Sequence, residues 1–124
     1  MEKVVSIRGA ITAKENSVKE IKTATITLIS ELFKQNKLDI SKIINMIFTV
    51  TDDLDIINPA TIAREEFKLN LIPMMCLQEM KLKNGLQRCI RLMINVYSEQ
   101  TKEQVKHTYL EEASRLRPDL SFEV

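Results

Sequence analysis

The sequence predicts an α+β protein, a mixed sheet with its helices gathered on one face. Residues 4–12 and 88–97 are rich in β-branched and apolar residues and read as strands. Residues 18–35 instead repeat their apolar side chains at three- and four-residue steps, the period of an amphipathic helix. The segments run strand, helix, strand, helix, strand, strand, an order that suits helices segregated to one side of a sheet.

The first strand, Val4-Val5-Ser6-Ile7-Arg8-Gly9-Ala10-Ile11-Thr12, places Arg8 among apolar neighbours and follows it with one of the chain's two glycines. A glycine inside a strand lets another backbone or a ligand approach closely. An exposed arginine beside a bulge glycine reads these residues equally well. The next segment opens on Ser17 with Glu20 three residues on, a capping box. Ile21, Ala24, Leu28, Ile29 and Leu32 form its stripe, and Lys22, Glu31 and Lys34 lie largely off it. This helix is expected to stop near Asn36, a residue that tolerates a left-handed cap.

A polar turn over residues 38–42 leads to residues 43–51, too apolar on both faces for an edge and so a central strand. Asp52, Asp53 and Asp55 follow; they lack the glycine and terminal glutamate of a calcium loop and read as a solvated loop. Asn58 caps a short helix with Pro59 in its first position, ending around Phe67. Free N–H groups at such a start can meet an anion. Arg64 lies one turn further in, or else pairs with a surface acid. Residues 70–74 read as a third strand, with Pro73 favouring an edge or a strand end.

Asn84-Gly85 signals a turn before the strand at 88–97. Alternation there puts Ile90, Leu92, Ile94 and Val96 on one face and Cys89, Arg91, Met93 and Asn95 on the other. Burying Arg91 is costly unless an anion meets it. Thr101 with Gln104 forms a second capping box before a helical turn, residues 105–110 suggest a last small strand, and residues 115–120 close the chain. His107, the only histidine, reads as a surface residue. The whole belongs in the ferredoxin-like neighbourhood.

At 124 residues the chain reads as one domain, small for an enclosed active site. Proteins of this size build clefts between subunits, and one face of the sheet has no helices left to cover it, so self-association is expected. Eighteen Lys and Arg against 17 Asp and Glu, with no basic run, 5% aromatics and no Trp, argue against nucleic acid as a partner. Cys76, Cys89 and one histidine do not make a zinc set, so no metal is expected. Residues after Met1 show no apolar leader and no run reaches membrane-spanning length. The expectation is a cytoplasmic protein off the membrane with reduced thiols; a Cys76–Cys89 disulfide is the lesser alternative.

Five segments carry a more specific likeness: Ile7-Arg8-Gly9-Ala10; Pro59-Ala60 with Arg64; Cys76-x-Gln78-Glu79-Met80 with Cys89-Ile90-Arg91; His107-x-Tyr109-Leu110; and Leu116-Arg117-Pro118-Asp119-Leu120. Together, in this order, they resemble the trimeric pseudo-α/β-barrel class of chorismate mutases and not the all-helical class. The resemblance implies a homotrimer with clefts between adjacent subunits that rearranges chorismate to prephenate, on the way to phenylalanine and tyrosine, with no cofactor. It implies that Arg8, Arg91 and Tyr109 bind the enolpyruvyl side and that Arg91 also donates to the ether oxygen. Glu79 and Cys76 would engage the side of the ring hydroxyl. The segment Met75, Cys76, Leu77, Gln78 and Glu79 would line the pocket, partly through backbone. Arg64 of a neighbouring subunit and Arg117 would hold the ring carboxylate. Arg91, Glu79 and Arg8 are thereby the expected catalytic residues.

The chemistry suits these residue types. A pericyclic step needs no nucleophile, base or metal; it needs a compact substrate shape and fixed charges aimed at the polarised transition state. A million-fold gain asks for about 8 kcal/mol, of which one well-placed donor in a dry site supplies about 3–4 kcal/mol. The family commonly has an aromatic residue where this chain has Asn58 and a lysine where it has Thr61. The expected consequence is weaker substrate affinity with intact chemistry. The alternative reading is a non-catalytic trimeric metabolite-binding module of ferredoxin-like fold, and a related trimer that hydrolyses imines is a third. The binding module does not require Glu79 set among Arg8, Arg91 and Tyr109, whereas the imine hydrolase would also use an interface arginine and would need a water-positioning acid.

Overall fold

The computed structural model describes residues 1–120. Its elements are β1 (Lys3–Thr12), α1 (Val18–Asn36), β2 (Ile43–Val50), α2 (Pro59–Phe67), β3 (Met74–Gln78), β4 (Cys89–Ser98) and β5 (Thr108–Tyr109), with 3-10 turns at Ile40–Lys42, Glu111–Arg115 and Pro118–Leu120. The strands form one mixed sheet in the order β3-β2-β4-β1-β5. β4 runs antiparallel to both β1 and β2, whereas β2/β3 and β1/β5 are parallel. This is the α+β architecture the segment order implies.

The helices cover one face because the odd-numbered residues of β1 and the even-numbered residues of β2 and β4 are apolar. Ile7, Met46, Phe48, Ile90 and Ile94 lose all solvent exposure, as do Ile21, Leu28, Ile29 and Leu32 of α1. Each such side chain contributes about 1.5–3 kcal/mol of burial, and one contiguous core spans both helices and four strands. Gly9 sits on this face. A Cβ there would lie 2.7 Å from Leu32 Cδ1, 2.9 Å from Leu28 Cδ1 and 3.2 Å from the Thr108 carbonyl. The missing side chain lets α1 settle against β1; pairing with β4 runs through Gly9 opposite Leu92, so there is no bulge at that position.

Helix starts follow the capping signals. Ser17 Oγ accepts from the Glu20 N–H at 3.2 Å, and Asn58 Oδ1 accepts from the Ala60 N–H at 2.8 Å. The end of α1 differs from expectation. Lys37, not Asn36, takes the left-handed cap at φ 48°. Asn36 is the last helical residue, buried, and its side chain pairs with both backbone groups of Lys106, accepting from N–H at 2.8 Å and donating to C=O at 2.9 Å. The Asn36 amide also donates to the Leu32 carbonyl at 3.0 Å, so Asn36 stays inside the helix and the left-handed cap falls to exposed Lys37.

Two further expectations are corrected. The third strand lies at Met74–Gln78, not at residues 70–74. Residues 70–72 instead make a turn after the left-handed cap of α2 at Lys68, and Leu71 is 97% exposed. Pro73 cannot donate to a ladder, but its carbonyl accepts from the Met46 N–H at 3.0 Å and starts the pairing with β2. The last strand is two residues long, not six. Thr101 and Gln104 form the expected single turn, with the Gln104 side chain accepting from the Thr101 N–H and the Val105 N–H bonding the Thr101 carbonyl at 3.2 Å.

The uncovered face carries even-numbered residues of β1 and odd-numbered residues of β3, β4 and, beyond the register shift between Ile43 and Asn45, of β2. Register puts Ser6, Asn95 and Asn45 in one row, joined by side-chain hydrogen bonds of 2.6 and 2.7 Å. Arg8, Met93, Ile47 and Met75 form the next row; Tyr109, Ala10, Arg91, Thr49 and Leu77 form the one after.

Candidate functional site

The site begins with where Arg91 falls. Because β4 alternates, placing Ile90 and Leu92 in the core puts Arg91 on the uncovered face. Directly beyond β3, the Glu79 N–H bonds the Val50 carbonyl at 2.7 Å, extending the ladder by one residue. The Glu79 side chain then reaches across β2, and its Oε1 accepts from Arg91 Nη1 at 2.9 Å. The guanidinium carries five N–H donors and keeps 40% of its exposure. It is therefore paired but still presented.

Tyr109 joins this row through β5, opposite Ala10. It is 2% exposed and packs with Ala10, Cys89 and Ala113 in a small cluster separate from the main core. Arg8 lies one row along, diagonal to Arg91, about 7–8 Å away by strand geometry. Arg8, Glu79, Arg91 and Tyr109 thus share one face. A cleft of about 550 Å³ opens beside Glu79 and Arg91, lined also by Cys89, Leu116, Asp52, Asp53 and the 80–87 loop; Arg8 and Tyr109 do not line it.

Of the loop carboxylates, Asp52 and Asp55 are exposed as expected, and Asp53 is half-buried. Both oxygens of Asp53 accept from the Arg88 N–H, at 3.0 and 2.9 Å, while the Arg88 Nε–H donates to the Ala13 carbonyl. Arg88 has φ 50°, so this carboxylate holds a left-handed residue at the start of the strand bearing Arg91. Asp52 pairs with Lys81, and Asp55 accepts from Asn16. Among the described residues no three His, Cys, Asp or Glu side chains gather as a metal site.

The remaining expected residues fall elsewhere. Met75 and Leu77 stand on the uncovered face, 61% and 45% exposed. Cys76 and Gln78 alternate to the helix side; Cys76 lies opposite Phe48 and packs against the core. Burial raises its thiol pKa. Cys76, Leu77 and Gln78 edge a second groove of about 350 Å³ with Asn58 and Pro59 at the start of α2. Arg64 is an exposed residue of α2, in the helical layer behind the sheet. Within one chain, therefore, Arg64 and the Cys76 thiol do not meet Arg91. Arg117 forms a two-pronged pair with Asp119, at 3.1 and 2.9 Å, which raises the guanidinium's pKa.

His107 corrects the surface reading. Its ring is half-buried, and Nδ1 accepts from the Arg8 N–H at 3.0 Å. Burial and the positive charges of Arg8 and Arg117 push its pKa below the ordinary value. Asp53 and His107 both act on the backbone, a role that no side-chain pattern in sequence announces.

Comparison with known proteins gives the family and the fold. Residues 4–120 match the family model for chorismate mutase type I. The chain is 36% identical over 116 residues to chorismate mutase AroH of Bacillus subtilis (strain 168), covering 94% of this chain and 91% of that protein. It is also 36% identical to chorismate mutase AroH of Thermus thermophilus over 118 residues, covering 94% of this chain and 96% of that one. Among solved structures, the chorismate mutase from Clostridium thermocellum superposes with a TM-score of 0.86 at 38% identity, over 90% of this chain and 98% of that one. With the fold, the uncovered charged face and these relatives in agreement, the chain belongs to the chorismate mutase type I family.

Proposed function

We propose that this chain rearranges chorismate to prephenate in clefts completed by neighbouring copies of itself, as a homotrimer. The observation that carries the reading is the Glu79–Arg91 pair on the uncovered face, with Arg8 and Tyr109 beside it. In this reading Arg91 donates to the ether oxygen as the C–O bond breaks, and Arg8 and Tyr109 hold the enolpyruvyl carboxylate. Glu79 faces the ring as positive charge grows there. Binding the dianion in its compact form removes rotational freedom before the reaction, and the fixed charges stabilise a separation of charge that water would meet only by reorganising.

Two features support a second copy. Met75, Leu77 and Met93 leave an apolar band exposed on the face that carries the arginines. Cys76 edges the groove between β3 and the start of α2, and Arg64 is exposed on α2, so both suit a neighbour's cleft and not their own. Arg117 would steady the ring carboxylate at the mouth. A cytoplasmic setting goes with this reading; both cysteines are free, and among the described residues no helix is long and apolar enough to cross a membrane.

The test is to add chorismate to the purified protein and follow prephenate formation while sedimentation reports the assembly. Turnover well above the spontaneous rate, by a species of three chains, is expected. A rate equal to background ends the reading.

A further inference from the structure

We propose that His107 is a positioning residue for Arg8: its imidazole Nδ1 supplies the acceptor that β5 is too short to offer, and so locks the strand bearing Arg8 against the strand bearing Tyr109. The inference rests on the reading of Arg8 and Tyr109 as substrate-binding residues. Parallel pairing of β1 with β5 covers only Gly9 with Thr108 and Ala10 with Tyr109. The next position back sets Arg8 beside His107, where the Arg8 N–H meets a ring nitrogen at 3.0 Å in place of a carbonyl.

Two further ties frame that bond. Downstream, the Leu110 N–H bonds the Ala10 carbonyl at 2.9 Å. Upstream, buried Asn36 grips Lys106 through both backbone groups. The β5 segment is thus held at three successive points, two of them made by side chains. A two-residue strand has little pairing of its own, so the register of Tyr109 relative to Arg8 depends on these side chains.

The bond has a protonation requirement. A ring nitrogen that accepts from a backbone N–H must be without a proton, which leaves the proton on Nε2. The charged groups acting on the ring are Arg8 of β1 and Arg117 of the closing segment, with Asp119 paired to Arg117; α1 contributes neutral Asn36 next door. These surroundings favour the neutral ring. Protonation would remove the acceptor, strand the Arg8 N–H and add a third positive charge beside two arginines. Activity then falls in acid through misplacement of Arg8, apart from any protonation of Glu79.

The test compares wild type, His107→Asn and His107→Leu by steady-state kinetics with chorismate between about pH 5 and 8. Asparagine places a non-titrating acceptor oxygen near the position of Nδ1. His107→Asn should keep kcat/KM within about threefold at the upper end and lose the acid limb that wild type shows below the ordinary histidine range. His107→Leu should lose about tenfold in kcat/KM at every pH, chiefly through KM, as befits an unpaired buried donor. An acid limb unchanged in His107→Asn, or a wild-type KM in His107→Leu, overturns the proposal.

Nuclear magnetic resonance of the wild-type protein separates the two readings. The Arg8 amide shift should titrate together with the His107 ring nitrogens, at a midpoint below about 6.5. An Arg8 amide that ignores the ring in an active enzyme defeats this inference alone. Absence of turnover in wild type with the amide still following the ring defeats the functional reading instead.

Discussion

The Glu79 carboxylate meets Arg91 Nη1 at 2.9 Å by reaching over β2, the strand that separates β3 from β4. Both side chains keep contact with solvent, at 26% and 40% exposure, so the pair adds little to stability. Its value is orientation. The carboxylate holds one side of the guanidinium through Nη1, and in the proposed function the remaining donors meet the substrate.

Arg91→Lys should therefore fold normally and lose kcat by about a hundredfold or more, because an ammonium cannot reproduce the planar fork that donates to carboxylate and ether oxygen together. Stopped assays with chorismate measure it. A loss of less than about tenfold would remove Arg91 from its proposed role.

Thr61→Lys should lower KM by about threefold to tenfold with kcat unchanged. Thr61 is half-buried in the first turn of α2, beside the groove edged by Asn58 and Cys76. A lysine there restores a cation near the outer carboxylate, and a partly exposed charge contact contributes up to about 1 kcal/mol. The gain should shrink in high salt. An unchanged KM at low ionic strength contradicts the placement.

Gly9→Ala should destabilise the protein by about 1–3 kcal/mol in urea titration, since the added methyl presses on Leu32, Leu28 and the Thr108 carbonyl in a filled core. The damage should spread to β5, which shares that contact. A neutral result would mean that α1 is free to shift.

Cys89 should resist alkylation. Burial pushes its thiol up to about 11, partly offset by Arg91, so at pH 8 about 0.1% is thiolate. Cys76, half-buried and raised by desolvation alone, should react first. Mass spectrometry after timed iodoacetamide treatment distinguishes the two; equal rates on the native protein rule out the buried setting of Cys89.

Stability should decline in acid through His107. Its folded pKa lies below the unfolded value of about 6.5, so between those two values the unfolded chain binds more protons. The contribution is present above about pH 6.5 and is lost as pH falls through the folded value. Urea midpoints measured across this range should fall in wild type and stay flatter in His107→Asn. Parallel slopes would show that the ring does not couple to folding.

Period and punctuation in the sequence alone determined most of the architecture. Ser17, Asn58 and Pro59 start helices where capping chemistry says they must, and the alternation around Arg91 predicts which face it takes, because a strand's side chains cannot choose sides independently. The family likeness was legible because its five short segments are separated by scaffold of the right length. Local signals failed where a single residue's fate depends on distant partners. Residues 70–73 look like a strand until Lys68 turns left-handed and Pro73 meets Met46. Asn36 looks like a cap until Lys106 arrives beside it. Only the tertiary structure decided that Glu79 spans β2 to reach Arg91, that Cys76 and Arg64 face away from that pair, and that His107 serves Arg8. The physical reason is that hydrogen bonds between residues 99 positions apart are set by strand order and register, and these emerge from packing the whole core at once, not from any window of sequence.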